Sequence, residues 1–291
     1  MPPRRQQQSG LSLVELIVAM VIGLTVVGAA LAMYVSSGFT SRGSGALSQM
    51  TEDASIALSL LRSQVAMAGY SRPTGVGADG TLVKQYTGTA VFGCTGGATA
   101  DTKAGLLNSM ACADNGALPD SIAVLYQADT GNTVPTTASI PTDCLGNGIT
   151  INGAFYVAEN RYYVDNGTLM CLGNGSTMPQ PLVENVFDLK ILYGVAGTNS
   201  PGGTTLTNGV AERYLTAQET SDTKTPPVSS ALWQQVTSAR ICVVVRSETA
   251  VLEEDAPYFD CAGAPQTPSD KHLYRAFTTT VVLQNRLTAT N

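Results

Sequence analysis

The sequence is short of catalytic chemistry. It holds one histidine, His272, and one tryptophan among 291 residues, and 13% of its residues are charged. A lone histidine beside Lys271 joins a catalytic triad only where a serine and an aspartate converge on it, so a surface position is the plainer expectation. No G-x-S-x-G occurs, which removes the nucleophile elbow of an α/β-hydrolase. No two cysteines form a C-x-x-C pair, and with a single histidine a zinc site lacks ligands. Neither a metal nor a cofactor is expected, and the chain does not read as an enzyme. The net charge of −6 carries no basic stripe, so nucleic acid is not an expected partner. The most informative absence is local. From Leu16 to Ser41 there is not one charged residue.

What fills that stretch is Leu, Ile, Val, Ala, Met and Gly. At about 1.5 Å per residue, roughly 20 such residues cross the hydrocarbon core of a bilayer. Ahead lies a polar leader, Met1 to Ser9, with Arg4 and Arg5 and no acid. A basic flank before a spanning helix orients the C-terminal bulk away from the cytoplasm. Glu15 breaks the pattern at the head of the run, where a charge at membrane depth costs about 2.5–3.5 kcal/mol. Such a charge calls for a partner. A cut after Gly10 would give Leu11 a new α-ammonium, with Glu15 four residues on and one helical turn away. The terminus of a neighbouring copy would also be in reach if such helices pack in staggered register.

Gly10-Leu11-Ser12-Leu13-Val14-Glu15-Leu16 resembles the class III signal of type IV prepilins and type II secretion pseudopilins. That resemblance implies a prepilin peptidase that cuts after Gly10 and methylates Leu11, and a Glu15 that guides docking into a filament. Leu11 stands where the family commonly has Phe, and Ser12 and Val14 replace the commoner Thr and Ile. Two other readings use the same residues. Ala30-Leu31-Ala32 has the A-x-A form of a signal-peptidase site, which would release a soluble periplasmic binding protein. An ordinary single-pass anchor would leave Glu15 without a purpose.

Six cysteines, Cys94, Cys112, Cys144, Cys171, Cys242 and Cys261, make an even set in an exported chain, which points to disulfides. They allow fifteen pairings, and sequence cannot choose among them. The expectation is nonetheless sequential pairing, Cys94–Cys112, Cys144–Cys171 and Cys242–Cys261, each bond closing a loop of roughly 18–27 residues worth about 3 kcal/mol.

Beyond the apolar run, Gly38, Gly43 and Gly45 are expected to bend or locally melt the helix. The helical pattern then resumes. Leu47, Met50, Ala54, Ala57, Leu58, Leu61, Val65 and Ala68 recur every three or four residues, an apolar stripe able to lie on a sheet. Gly69 ends it and Pro73 prevents resumption. A helix from about 11 to 68 would be roughly 87 Å long, too long for any compact domain to hide. From Ser71 the period changes to strands: around Ile122 to Tyr126, at Arg161–Asp165 and Thr168–Cys171 flanking Asn166-Gly167, at Phe187 to Tyr193, at Ile241 to Val245, and from Val281 to Leu287. The segments 72–120 and 196–231 read as loops too long to be mere connectors. Gly75-Val76-Gly77-Ala78-Asp79-Gly80 matches G-x-G-x-x-G but follows a helix, so it reads as a flexible loop. Glu253-Glu254-Asp255 lacks the spacing of a calcium loop and reads as a solvated turn.

The globular part is similar to the PilW family of minor pilins. The similarity lies in Met50-Thr51-Glu52-Asp53-Ala54 through Met67-Ala68-Gly69-Tyr70, and in Tyr162-Tyr163-Val164 and Tyr193-Gly194-Val195. It continues in Trp233-Gln234-Gln235-Val236 leading to Ala239-Arg240-Ile241, and in Phe277-Thr278-Thr279-Thr280-Val281. The resemblance implies an α+β fold, a long N-terminal helix packed on an antiparallel sheet and stapled by disulfides. It divides the chain into a leader (1–10), a helix (11–70, spanning at about 16–38 and amphipathic over 46–68) and an extracytoplasmic β-rich domain (71–291). It implies a tip subunit that primes pilus assembly with other minor pilins and the major pilin, and that helps to display a PilY-family adhesin. Such a subunit would wait in the inner membrane and end on the cell surface. A type II secretion pseudopilin would share the leader and helix.

Overall fold

The computed structural model describes residues 12–78, 82–97, 112, 116–198, 206–221 and 231–286. Its organising element is helix α1, Leu13–Met67, 55 residues without a break. At 1.5 Å per residue it is about 80 Å long. Gly38, Gly43 and Gly45 do not interrupt it. Each glycine costs about 1 kcal/mol against alanine, too little to break a helix that propagates from good formers on both sides. The termini are capped as their residues allow. Ser12 accepts a hydrogen bond from the Val14 N–H at 3.3 Å. At the far end Gly69 takes a left-handed φ of 70° and its N–H donates to the Leu125 carbonyl at 2.8 Å. The Asn285 amide closes the same end, donating to the Ala66 carbonyl at 3.1 Å.

Among the described residues fourteen strands follow: β1 Pro73–Val76, β2 Leu82–Lys84, β3 Val91–Cys94, β4 Ser121–Ala128, β5 Ile151–Asn152, β6 Phe155–Asp165, β7 Thr168–Gly173, β8 Gln180–Glu184, β9 Val186–Thr198, β10 Leu206–Leu215, β11 Val236–Arg246, β12 Tyr258–Phe259, β13 Pro265–Gln266 and β14 Tyr274–Val282. Two short helices, α2 Ala217–Thr220 and α3 Ala231–Gln234, precede β11. The strands make two main antiparallel sheets rather than one, ordered β10-β9-β11-β14 and β3-β4-β6-β7-β8 with β5 beside β6, and two separate two-stranded ribbons, β1-β2 and β12-β13. Parts of the two presumed long loops are therefore strand: β1, β2 and β3 in the first, β10 in the second. β14 stops at Val282, and Gln284–Arg286 forms a 3-10 turn where strand was expected. Leu287 lies outside the described residues.

The covered half of α1 lies on β11 and β14 and also touches β4 and β8. The residues it buries, Met50, Ala54, Ala57, Leu61, Val65 and Ala68, all belong to the stripe legible in the sequence. They meet Ile241, Val243 and Val245, whose side chains share one face of β11. Strand β4 is buried along its whole length because the second sheet folds against β9 of the first. Between the sheets sits an aromatic cluster in which Trp233 lies 5.0 Å from Phe92 and 4.8 Å from Tyr193, centroid to centroid. The β6–β7 hairpin turns at Asn166-Gly167 with φ of 48° and 75°, the paired left-handed geometry that this dipeptide favours.

Candidate assembly site on the N-terminal helix

The candidate site is the bare half of α1. Its 18-residue apolar window has none of its surface buried, and it is the one helix among the described residues long and apolar enough to cross a membrane. Leu13, Leu16, Ile17, Met20, Leu24, Leu31 and Tyr34 all stand exposed around its circumference. A helix that is apolar on every side is made to be covered on every side, by lipid or by other helices. Open space surrounds the Cα positions of Gly23 and Gly28, so a second helix could approach closely there. Glu15 lies in the first turn, where the positive end of the helix dipole favours a carboxylate. Gly10 and Leu11, the expected processing residues, lie outside the described residues.

The globular half carries no constellation of reacting groups among the described residues. His272 is held structurally. Its Nδ1 is 2.7 Å from the Ser247 carbonyl oxygen, while the Ser247 hydroxyl donates to the Thr249 carbonyl at 2.8 Å. Asp270 accepts from the His272 backbone N–H at 3.2 Å. No aspartate thus aligns the ring toward an activated serine, and the triad arrangement fails. No group of three or more His, Cys, Asp or Glu that could hold a metal occurs among the described residues. Glu253, Glu254 and Asp255 are exposed. Gly75 and Val76 belong to β1, which pairs with β2 as a separate two-stranded hairpin and leads into no helix. Gly80 lies outside the described residues.

The cysteines form Cys94–Cys112, Cys144–Cys171 and Cys242–Cys261. Each ties a strand of the two main sheets to an adjoining segment.

Two polar anchors escape a reading of the sequence. Asp120, just ahead of β4, accepts from the Gly96 N–H and from the Ile191 N–H, each at 2.9 Å, which links the two sheets. Burial raises its pKa above the ordinary carboxylate value; the N–H donors and Lys190, 3.7 Å away, pull in the opposite direction and lose. Arg286 is the second. Its guanidinium donates to the Gln234 carbonyl and side chain beside the end of α1, and burial lowers its pKa. An acid opening an apolar strand and a cation near the C-terminus are weak signals, because their partners are scores of residues away.

Comparison with known proteins now has a fold to rest on. Residues 5–31 match the prokaryotic N-terminal methylation motif. Residues 154–285 match the type IV pilus-assembly protein W family, PilW. Among solved structures, a type IV-like pilin from Thermus thermophilus, TTHA1219, is similar at 11% identity and a TM-score of 0.42, over 81% of this chain and 96% of that one. No curated protein matches the sequence significantly. The methylation motif on a bare apolar helix, followed by an antiparallel β domain, defines a membrane-anchored protein of the type IV pilin-like class. Within that class, the PilW match over residues 154–285 together with the methylation motif supports a type IV pilus minor pilin similar to the PilW family.

Proposed function

We propose that the chain is a priming subunit of the pilus tip complex. It divides into a leader (1–10), a long helix (11–70) and a globular domain (71–291) that faces the periplasm. A prepilin peptidase cuts after Gly10 and methylates Leu11. The mature subunit waits in the inner membrane with Glu15 near the cytoplasmic face. Lateral packing of the apolar half of α1 then brings it together with other minor pilins and with the major pilin. A PilY-family adhesin is a further expected partner at the tip.

The observation that carries this reading is a helix whose first half is apolar on all sides and whose second half is locked into the domain. A lipid anchor alone needs no acid at its head, whereas a helix that docks beside others can use Glu15 to meet a neighbour's terminal ammonium. Mass spectrometry of the mature N-terminus from a membrane fraction tests the first step. A start at N-methylated Leu11 is expected; a start at Met33 overturns the proposal. The Glu15→Ala variant tests the second. It should be cleaved and inserted normally but recovered from sheared pili at about a tenth of the normal level or less, and unchanged recovery removes Glu15 from the mechanism.

A further inference from the structure

A sheet edge presents a row of backbone N–H and C=O groups without a partner strand. Folded proteins ordinarily guard such edges with bulges, charges, proline or shortness. Among the described residues, three of the four edges of the two main sheets are guarded in this way. Strand β10 slips register twice against β9 and carries Glu212 and Arg213. Strand β8 slips once against β7 and contains Pro181 and Glu184. Strand β3 is four residues long and ends at Cys94, which is bridged to Cys112.

Strand β14 has none of these guards. It faces β11 over nine consecutive pairs, from Tyr274 opposite Arg246 to Val282 opposite Ser238, without a shift in register. From Ala276 to Val282 it holds no charge, proline or glycine, and Arg275 lies over the Phe277 ring at 5.4 Å. Leu283, next in register, donates its N–H to the Thr237 carbonyl at 2.8 Å, which fixes the phase of the ladder. Counting back by twos, Val281, Thr279 and Phe277 turn their backbone groups toward β11. Val282, Thr280, Thr278 and Ala276 turn theirs outward. Thr278, Thr280 and Val282 are also exposed. A long, regular, uncharged edge of β-branched residues is made to be paired.

Donors and acceptors that repeat every second residue, about 6.6 Å apart, are matched by another extended backbone and not by lipid or a helix. The direction of β14 narrows the source. Gln49 of α1 meets Glu248, just past β11, at 3.4 Å, and Asn285 meets the Ala66 carbonyl at 3.1 Å. Strand β14 therefore runs the same way as α1. A closed two-fold pair of β14 edges is antiparallel, so it would point the bare halves of two copies in opposite directions and out of any shared membrane. A second copy docked edge to edge does not fit. The bare half of α1 draws other pilin-type subunits alongside, and β14 flanks that same helix. The outward row of Ala276, Thr278, Thr280 and Val282 carries no charge for a partner to oppose. We propose that β14 accepts an extended, uncharged segment of an adjacent pilus subunit as a fifth strand of the first sheet. The proposal rests on the assembly reading above and adds a backbone-to-backbone contact between globular domains.

Photo-cross-linking in piliated cells tests it, with p-benzoylphenylalanine placed in the full chain at Thr278, at Val282 and, separately, at Leu24 on the bare helix. Positions 278 and 282 lie about 13 Å apart along a strand. Their adducts should fall on one segment of a pilus subunit, about four residues apart, as an extended partner requires. A helical partner would space them by about nine. Thr280→Pro removes an outward donor and Thr280→Lys adds an edge charge, and each should lower both adducts about tenfold. In detergent Thr280→Pro should melt with the wild type, whereas Thr279→Pro, which loses a bond to β11, should melt several degrees lower. Thr280→Lys leaves the backbone untouched and decides the point if Thr280→Pro fails to fold. Adducts at Leu24 alone, strand adducts unchanged by Thr280→Lys, adducts spaced as on a helix, or adducts confined to lipid or to a second copy overturn the added strand and leave the assembly reading standing. Failure of all three probes overturns both.

Discussion

Asp120 shows how a single side chain carries long-range information. It accepts one N–H from the β3 side and one from β9, and so pins two sheets with two oxygens. Burial raises its folded pKa above the unfolded value near 3.8, so the folded state holds the proton more readily. Its contribution to stability is therefore fully present below that value and is lost as pH rises through the raised one. Asp188, raised mainly by burial as well, acts in the same sense. Urea denaturation between pH 4 and 7 should show wild-type stability declining just above the ordinary carboxylate range. Asp120→Asn should flatten that decline while lowering stability at every pH, since one amide oxygen cannot accept both N–H groups. Leu61 is a simpler residue. It is fully buried between α1 and the sheets, and Leu61→Ala should cost about 2–5 kcal/mol in the same assay.

At the scale of elements, α1 performs two tasks that divide near its middle. The sequence marks the division well, because the charge-free run and the spaced stripe from Met50 to Ala68 differ in pattern. It marks the continuity poorly. Three glycines within eight residues suggest a hinge, yet the helix runs through them, since propagation from both flanks outweighs their intrinsic cost. The real stop is Gly69, where a left-handed φ and a close approach coincide: a Cβ there would lie 2.9 Å from that of Ala90. Gly69→Ala should therefore destabilise by about 1–2 kcal/mol, more than an alanine at the open Gly43, where it should be neutral or stabilising. Thermal melts of the two variants in one detergent check the contrast. Strands β4 and β11 were legible as apolar runs, whereas β10 and the β1–β2 hairpin were hidden in Gly- and Thr-rich segments. Their pairing comes from neighbours in space more than from local propensity.

The whole molecule is a half-covered rod with a two-sheet domain clamped to its far end. Three disulfides with sequence separations of 18, 27 and 19 tie that domain together. In the chain-entropy account each closes a loop worth about 3 kcal/mol. Replacing Cys242 and Cys261 together by alanine should lower the melting temperature by about 6–12 °C, read by scanning calorimetry with and without reductant. Reductant should shift the wild type further than the variant, because the wild type has three bridges to lose and the variant two. The intact chain should stay in solution only with detergent, since the exposed apolar circumference of residues 13–35 exceeds what a soluble monomer tolerates.

Sequence alone determined the signal, the charge-free span, the anomalous Glu15, the covered stripe of α1 and the β character of the rest. Each of these is written in residues close together along the chain, with periods of 3.6 or 2 or in one short motif, so no tertiary knowledge is needed to read it. Tertiary structure alone decided that there are two sheets and not one, which of fifteen disulfide pairings forms, and that Asp120 and Arg286 are anchors. It alone put β14, unguarded, at the edge of the first sheet. Those facts join residues tens to hundreds of positions apart. Their energies come from burial and from hydrogen bonds between distant segments, which local pattern does not encode.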